Sequence, residues 1–378
     1  MATYYVSATT GNDSNNGTTI ALAKATIGAG ENLATSAGDI VYIAPGTYRE
    51  HVVHGYSGNA ANRIYFIGDP DCEIFGNAVE PGIVRITITD SNDLVENEGT
   101  VYAVNSNGKD YITWKNVSLD GGSGGVGAYN DNNTTYGFRA AIETDHMEII
   151  NCITQTFYYG AYYVAYIRDC VIGGITYAIR RAYLVERTIG LAGYTSFYQI
   201  DKCVNSISVG GTYGFLYNDY VQNCTSLGSE QAFRTTSGDV VNDCHAQFAS
   251  YAFYGGSSTA TSNNGVISSS FASNTRWLSR YGYMNGLAVD ACQNQWPNNN
   301  DPLVGLNGST DMQGDGLLWQ FRSPTLFNIN NMKKIAQACI PIRCEGIVGS
   351  TTTDRDGVAG ATDFFGNPRE MGEPKHML

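Results

Sequence analysis

The sequence predicts an all-β fold made of short strands, and three features support this. The chain has 378 residues, of which 44 are Gly, 26 are Tyr and only 15% are charged. Aromatic and small polar residues favour strands and tight turns over helices. The hydrophobic content of 43% is too high for a disordered chain and sufficient for a large core. Finally, short motifs recur at intervals of about twenty residues, which indicates a solenoid.

One recurring motif places an Asn or Asp, or another polar residue, directly before a Cys. The motif positions are Cys152, Cys170, Thr188 in the place of a Cys, Cys203, Cys224 and Cys244, at steps of 18, 18, 15, 21 and 20 residues. Each period holds two or three strand-like runs and no segment long enough for a helix. Each period is therefore predicted to form one coil of a parallel β-helix, with roughly ten coils in all.

The Cys column is predicted to lie inside the coils. Asn and Asp tolerate a left-handed backbone, so Asn151, Asp169, Asn223 and Asp243 are predicted at sharp turns between strands. The Cys side chains would then stack as small apolar groups. Equivalent Cβ atoms in adjacent coils lie about 4.8 Å apart, more than a disulfide requires, so free thiols are expected.

A second column contains aromatic and small residues. Its Tyr members are Tyr136, Tyr159, Tyr177, Tyr194, Tyr213 and Tyr251. Two residues further on lie Phe138, Ile179, Phe215, Phe233 and Phe253. Because strand side chains alternate between faces, both sets are predicted to point inward as a core ladder.

The same alternation predicts an outward-facing groove. Its floor would be a strip of small residues: Gly137, Gly160, Ala178, Gly214, Ala232 and Ala252. Its flank would carry the candidate carbohydrate-binding residues Arg139, Tyr162, Arg180, Arg234 and Tyr254. Such a groove would take a sugar chain by ring stacking and by donation to acidic groups, although the strip could equally keep the coils close or be covered by a neighbouring subunit.

Both ends of the chain resemble right-handed parallel β-helix proteins of the pectate-lyase-like superfamily. The resemblance rests on residues 4–7 (YYVS), 11–18 (GNDSNNGT), 25–27 (ATI), 38–50 (GDIVYIAPGTYRE) and 363–372 (DFFGNPREMG). It implies a right-handed solenoid with a short N-terminal capping helix, and a first coil strand within the GDIVYI run. Because this fold carries lyases, hydrolases, epimerases, adhesins and viral spikes, it does not define one function.

The predicted organisation has three parts: an N-terminal cap at 1–38, a parallel β-helix at 39–283, and a C-terminal cap and tail at 284–378. The last part includes one predicted helix at 329–338, with Lys333 and Lys334 exposed.

Catalytic motifs of related enzymes are absent. The sequence lacks the paired Asp and Gly-His-Gly motifs of galacturonan hydrolases and the Arg-x-Pro-x-x-Arg segment of pectate lyases. One acidic patch contains Arg139, Glu143, Asp145, His146 and Glu148. Here His146 could act as a general acid or base, although a solvated coil face is the simpler interpretation. Asp120 is predicted to be structural.

The net charge and the hydropathy of the sequence argue against two kinds of partner, nucleic acid and a membrane. The formal net charge of −13 disfavours nucleic acid, and no run of apolar residues is long enough for a membrane span. With no CxxC pair, neither a metal site nor a cofactor is expected.

Two functions fit these observations. The first is a non-enzymatic virion protein, such as a phage spike, fibre or capsid-surface component, forming a homotrimer with other virion proteins as partners and a host surface glycan as ligand. The alternative is a secreted polysaccharide lyase or glycoside hydrolase acting on acidic polysaccharide.

Overall fold

The protein is a nearly all-β chain of parallel sheets, a parallel β-helix as predicted. The computed structural model describes residues 1–88, 100–121, 134–141, 146–236, 239–242, 244–247, 249, 251–255, 266–268, 271–273, 277–280, 288–290 and 293–294. Two compact units divide the chain, Met1–Tyr183 and Leu184–Leu378. The predicted helix at 329–338 and the closing segment at 363–372 lie outside the described residues.

The described strands of the first unit are short. They are β1 (Thr3–Val6), β2 (Ile40–Ile43), β3 (Gly46–Arg49), β4 (Val52–Val53), β5 (Ile64–Gly68), β6 (Val84–Thr87), β7 (Thr100–Asn105), β8 (Ile112–Lys115), β9 (Ser118–Asp120), β10 (Thr134–Arg139), β11 (Glu148–Ile150), β12 (Ile153–Gln155), β13 (Tyr159–Tyr162), β14 (Tyr166–Arg168), β15 (Val171–Gly174) and the start of β16 (Tyr177–Glu186).

The second unit is also built of strands, most of them short. Its strands are β17 (Ile189–Ala192), β18 (Thr195–Val204), β19 (Ile207–Val209), β20 (Tyr213–Leu216), β21 (Tyr220–Gln222), β22 (Thr225–Leu227), β23 (Gln231–Thr235), β24 (Val240–Asn242), β25 (His245–Gln247), β26 (Tyr251–Gly255), β27 (Val266–Ser268), β28 (Phe271–Ser273), β29 (Trp277–Arg280), β30 (Ala288–Asp290) and β31 (Gln293–Asn294).

Parallel pairing arranges the strands of each unit into three faces. In the first unit, face 1 contains β4, β7, β10, β13 and the start of β16. Face 2 contains β1, β2, β5, β8, β11 and β14. Face 3 contains β3, β6, β9, β12 and β15. The second unit repeats the pattern, with the start of β18, β20, β23, β26 and β29 forming its face 1.

Left-handed residues turn the chain from face 2 to face 3, where Asn and Asp were predicted. Asn151, Asp169 and Asn223 have φ of 52°, 55° and 53°, which confirms the prediction for these positions. Asp243 lies outside the described residues. The amide of Asn151 donates to Asn116 Oδ1 at 2.9 Å, so side chains at this turn also link adjacent coils.

The Cys column is buried, but its predicted alignment was wrong at Cys203. Cys203 pairs with Val221 in face 2, whereas Ser206, after left-handed Asn205 (φ 51°), occupies the position directly before a face 3 strand. The column is therefore Cys152, Cys170, Thr188, Ser206, Cys224 and Cys244, at steps of 18, 18, 18, 18 and 20 residues. Ser206 replaces a Cys because its hydroxyl has local partners, donating to the Val204 carbonyl at 2.9 Å.

The described cysteines are free thiols, as expected. They are Cys72, Cys152, Cys170, Cys203, Cys224 and Cys244, all buried. In the second unit the core beside this column is a Phe stack. Phe215 lies between Phe197 and Phe233 with ring centroids 4.7 and 4.9 Å away and interplanar angles of 4° and 7°.

The N-terminal segment forms the predicted short helix. Helix α1 (Ile27–Glu31) follows a 3-10 turn at Ile20–Leu22, and a second 3-10 turn lies at Gly76–Ala78. The Glu50 carboxylate accepts hydrogen bonds from the backbone N–H groups of Ile27 and Gly28 at 2.7 and 2.8 Å, which satisfies donors at the helix start. The GDIVYI strand, β2, is not the first in its sheet, because the β-forming residues at Thr3–Val6 pair with it as β1.

Candidate functional site: a tyrosine and arginine surface on face 1

One small residue interrupts each of the face 1 strands β10, β13, β16, β18, β20, β23 and β26. In the β10–β13 pair, Tyr136 lies opposite Tyr159 and Phe138 opposite Ala161, but the residue between them is not in the register. The same gap occurs in the β13–β16, β18–β20, β20–β23 and β23–β26 pairs. The chain bends at this position, and strict alternation of side chains is lost.

The small residues therefore point inward, and the predicted groove floor was wrong. Gly137, Gly160, Ala178, Gly214 and Ala232 are all buried, while the side chain of Ala252 lies outside the described part. A Cβ built on Gly160 would lie 2.5 Å from the Gly173 carbonyl oxygen and 2.6 Å from Ile172 Cγ2. The bend turns two successive residues toward the interior, since the following Phe138, Ile179, Phe215 and Phe233 are buried as well.

The bend brings most of the Tyr column toward the outside, contrary to the predicted core ladder. Tyr136, Tyr177, Tyr213 and Tyr251 are half-buried and Tyr194 is 41% exposed, whereas Tyr159 is buried, with 9% exposure, as predicted. Tyr194 also lies outside the strand register, because Thr195 is the residue opposite Tyr213. The ladder itself is present in the first unit, where Tyr159 stacks on Tyr136 at 5.0 Å and 8° and on Tyr177 at 5.2 Å and 4°.

Three candidate residues lie side by side after the bend. Arg139 is opposite Tyr162, and Tyr162 is opposite Arg180. All three are half-buried, as expected for outward side chains packed along their length. Together with the Tyr ladder they form the surface called here the Tyr/Arg surface: Tyr102, Tyr136, Tyr159, Tyr177, Arg139, Tyr162 and Arg180.

Arg139 and Arg180 each pack against Tyr rings of their own coil and of the preceding coil. Arg180 Nη1 donates to the Tyr159 hydroxyl at 3.1 Å, and its Cζ lies 5.8, 5.5 and 5.4 Å from the ring centroids of Tyr159, Tyr162 and Tyr177. Arg139 Cζ lies 6.0 and 5.5 Å from the rings of Tyr102 and Tyr136. These are cation–π distances, so the guanidinium groups are held against the ladder.

Two tyrosines of this surface, Tyr136 and Tyr162, stay protonated at neutral pH. Burial, together with the neighbouring Tyr163 hydroxyl, raises the pKa of Tyr162 to about 12, and Arg180 only partly opposes this. Burial also raises the pKa of Tyr136. The phenols are therefore hydrogen-bonding groups and not bases under these conditions.

The second unit contains a smaller cluster of the same kind. Arg234 Nη1 donates to the Tyr213 hydroxyl at 3.1 Å, and Arg234 Cζ lies 5.3 and 5.4 Å from the rings of Tyr213 and Tyr217. In both units the Arg and its Tyr partner are 21 residues apart. The backbone of Tyr254 pairs with Arg234, but the Tyr254 side chain lies outside the described part.

The predicted acidic patch is not assembled as a unit. Glu143 and Asp145 lie outside the described residues, and Arg139 lies on face 1 whereas Glu148 lies on face 2. Glu148 forms ion pairs with Arg168 and, at 3.6 Å, with Arg63.

His146 has a different acidic partner. Its Nδ1 lies 3.4 Å from Asp110 Oδ1, and its ring stacks on Tyr111 at 4.4 Å and 6°. Sequence reasoning missed Asp110 because it is 36 residues away in the preceding coil, and only the coil register brings the two together.

Two other titratable groups, Asp120 and His54, are structural. Asp120 is buried, pairs with Arg85 and accepts a hydrogen bond from Thr156 Oγ1 at 2.9 Å. His54 is 1% exposed, and its Nε2 accepts from Trp114 Nε1 at 3.0 Å.

Among the described residues, no group of three or more His, Cys, Asp or Glu is placed to hold a metal ion. No helix in that part of the chain has the length and apolar character needed to cross a membrane.

The fold and this surface define a class: a parallel β-helix that presents stacked tyrosines and aligned arginines. No family model and no curated protein matches the chain. Similar solved structures include the GH136 lacto-N-biosidase from Eubacterium ramulus, at 11% identity and TM-score 0.46 over 78% of this chain and 67% of that chain. A rhamnogalacturonan lyase is 13% identical over 77% and 73%, with TM-score 0.37. A pectin methylesterase from Aspergillus niger is 13% identical over 82% and 92%, with TM-score 0.30. Likeness at this level transfers no activity to this chain.

Proposed function

We propose that the protein binds an acidic polysaccharide along the Tyr/Arg surface. The observation that carries this proposal is the row of Arg139, Tyr162 and Arg180 lying in register against a ladder of stacked Tyr rings. Glycan binding is common to both functions that the sequence suggests, a host-binding surface protein and an enzyme acting on acidic polysaccharide.

The chemistry of the row suits such a ligand. Tyr rings present flat apolar faces with a polar edge, which matches the C–H face of a sugar ring and its hydroxyls. Guanidinium groups bind carboxylates with paired, charge-assisted hydrogen bonds. Because the arginines already rest on rings, little side-chain freedom is left to lose on binding.

The local charge of the surface opposes the charge of the whole chain. The net charge is −13, whereas the two charged members of the Tyr/Arg surface, Arg139 and Arg180, are cations. A carboxylate approaching it would meet two cations at short range, while more distant acids are screened beyond about 8 Å at physiological salt.

A pair of single substitutions tests the proposal. Arg180→Ala removes a cation from the surface, whereas Lys115→Ala removes one from face 2, where Lys115 Nζ lies 5.4 Å from the Tyr65 ring. Titration calorimetry with uronate-containing oligosaccharides should show binding to the wild-type chain, at least about tenfold weaker binding to Arg180→Ala, and little change for Lys115→Ala. No binding by the wild-type chain, or equal losses in the two variants, would overturn the proposal.

The enzymatic alternative has one observation in its favour, the contact of His146 with Asp110. A carboxylate that orients a His is a recurring arrangement for general acid–base catalysis. His146 is 36% and Asp110 43% exposed in their side chains, so both are accessible to a ligand. In this second candidate function, His146 would move the proton while the Tyr/Arg surface on face 1 holds the chain.

Product analysis separates binding from cleavage. New reducing ends or unsaturated products from uronate-containing glycans, abolished by His146→Ala and reduced by Asp110→Asn, would support the enzyme. Tight binding without any product would favour the surface-binding function. The virion location and the homotrimer remain predictions, which electron microscopy of native particles and sedimentation of the purified chain would check.

A further inference from the structure

His51 lies at one end of the Tyr/Arg surface, on the ring of Tyr102. It directly precedes β4, the face 1 strand that pairs with β7, and β7 contains Tyr102. The two rings meet edge to face, with centroids 6.3 Å apart and an interplanar angle of 86°. Both residues are half-buried, so part of each side chain reaches solvent. His51 therefore extends this surface by one coil toward the N-terminus.

The hydrogen bond of His51 determines which ring nitrogen can accept one from a ligand. His51 Nδ1 lies 2.6 Å from the carbonyl oxygen of Tyr102. A carbonyl oxygen only accepts, so Nδ1 carries the hydrogen and donates it. In the neutral imidazole the other nitrogen, Nε2, then has a lone pair and accepts. Within the described part of the chain, the bond to Tyr102 is the one hydrogen bond of this side chain.

Tyr102 also contacts a group of the opposite hydrogen-bonding character. Arg139 Cζ lies 6.0 Å from the centroid of the Tyr102 ring, and the strands of these two residues pair in register. A guanidinium group has only donors, whereas Nε2 of a neutral imidazole only accepts. A sugar carboxylate suits Arg139 but would meet a lone pair at His51, and a sugar hydroxyl suits His51 because it can donate.

We propose that His51 is a specificity-determining residue of the Tyr/Arg surface, and that its Nε2 accepts a hydrogen bond from a free sugar hydroxyl beside a uronate bound by Arg139. This inference rests on the proposed function and specifies its ligand class. The ligand is an acidic polysaccharide whose hydroxyls are neither methylated nor acetylated. A blocked hydroxyl would cover Nε2 without offering it a donor, and an unsatisfied acceptor is costly.

Two variants of His51 separate the two ring nitrogens. His51→Asn retains a donor near Nδ1 for the Tyr102 carbonyl but has no atom at the position of Nε2. His51→Gln reaches that position with an acceptor oxygen and gives up the bond to Tyr102. In titration calorimetry with polygalacturonate decasaccharide, we expect His51→Asn to bind about tenfold more weakly than the wild-type chain and His51→Gln to bind within about threefold of it.

The other outcomes of this experiment are distinct. Weaker binding by His51→Gln than by His51→Asn would mean that His51 acts by holding the Tyr102 carbonyl, which overturns the inference. Equal affinities of the two variants overturn it as well. Both results leave the proposed function intact as long as Arg180→Ala weakens binding. No binding by the wild-type chain overturns the proposed function itself.

A modified ligand tests the hydroxyl directly. The probe is the same decasaccharide with its hydroxyls O-methylated and its carboxylates intact. The loss of affinity caused by methylation should be about tenfold smaller in His51→Asn than in the wild-type chain, because the variant has no acceptor to leave unsatisfied. Arg180→Ala retains His51 and should show the wild-type loss. An equal loss in the wild-type chain and in His51→Asn would contradict the inference. Far-ultraviolet circular dichroism verifies the fold of each variant.

Discussion

The bend in face 1 determines which side chains reach the surface, and replacing Gly160 by Ala tests it directly. An added Cβ would lie 2.5 Å from the Gly173 carbonyl oxygen, 2.6 Å from Ile172 Cγ2 and 2.7 Å from Thr154 Oγ1. Ile172 and Thr154 are 0% exposed, and the carbonyl belongs to the backbone of the next coil. None of these atoms can move aside without displacing its own neighbours.

Two terms of opposite sign determine the size of the effect. Forcing a methyl group into a packed interior costs about 1–3 kcal/mol. Replacing Gly by Ala also reduces the conformational entropy of the unfolded chain, which stabilises the folded state by about 0.4–1 kcal/mol where the backbone conformation allows Ala. All three contacts are shorter than 3 Å, so we expect a packing cost near the upper end of the range of about 1–3 kcal/mol. The free energy of unfolding should therefore fall by about 2 kcal/mol.

Urea unfolding followed by circular dichroism measures this loss as a lower transition midpoint. The matched control is Ala178→Gly, at the equivalent position of the next coil, where the buried methyl already fits; it should cost about 1 kcal/mol. A Gly160→Ala chain as stable as the wild type would mean that this residue faces solvent. The bend, and with it the outward placement of Tyr162, would then be wrong.

Three further predictions concern groups away from the Tyr/Arg surface. Cys152 and Cys170 are 0% and 1% exposed and burial raises the pKa of Cys170, so a thiol reagent should modify them only after unfolding; rapid modification of the folded chain would contradict this. Burial lowers the pKa of His54 to about 3. Between about pH 6.5 and pH 3, His54 is therefore protonated in the unfolded chain and neutral in the folded chain. The free energy of unfolding should fall as the pH falls through this window. His54→Gln should flatten that part of the pH profile, and an unchanged profile would exclude His54 as its source. Glu50→Ala removes the carboxylate that accepts from the first turn of α1 and should lower the free energy of unfolding by about 1 kcal/mol, whereas an unchanged melting curve would show that water replaces it.

The repeat and its turns could be predicted because each has a local cause. Asn151 and Asp169 precede a buried residue at a point where the backbone is left-handed, and Asn and Asp adopt that conformation more readily than other non-Gly residues. The error at Cys203 arose from matching residue identity instead of environment. The column accepts any small side chain, and Ser206 restores an even step of 18 residues.

The outer surface could be predicted only in part, because alternation fails at the bend. The rule that neighbours point to opposite sides correctly placed Arg139 and Arg180 outside, since they follow the bend. It misplaced Tyr136, which precedes it, and Gly137, which lies within it. The sequence does carry a signal for this, because Gly137, Ala178, Gly214 and Ala232 each directly precede a large apolar residue. Two buried residues in succession require a break in the alternation of side chains.

A surface that repeats at the strand spacing favours a ligand that also repeats. Tyr136, Tyr159 and Tyr177 present the same ring in the same orientation in three successive coils, so a single sugar would find several equivalent positions and no reason to prefer one. A polymer with matching spacing engages all of them at once, and the contacts after the first are made within one complex at high effective concentration. For the polysaccharide ligand proposed above, the stacked rings would therefore supply affinity for a chain over a single sugar.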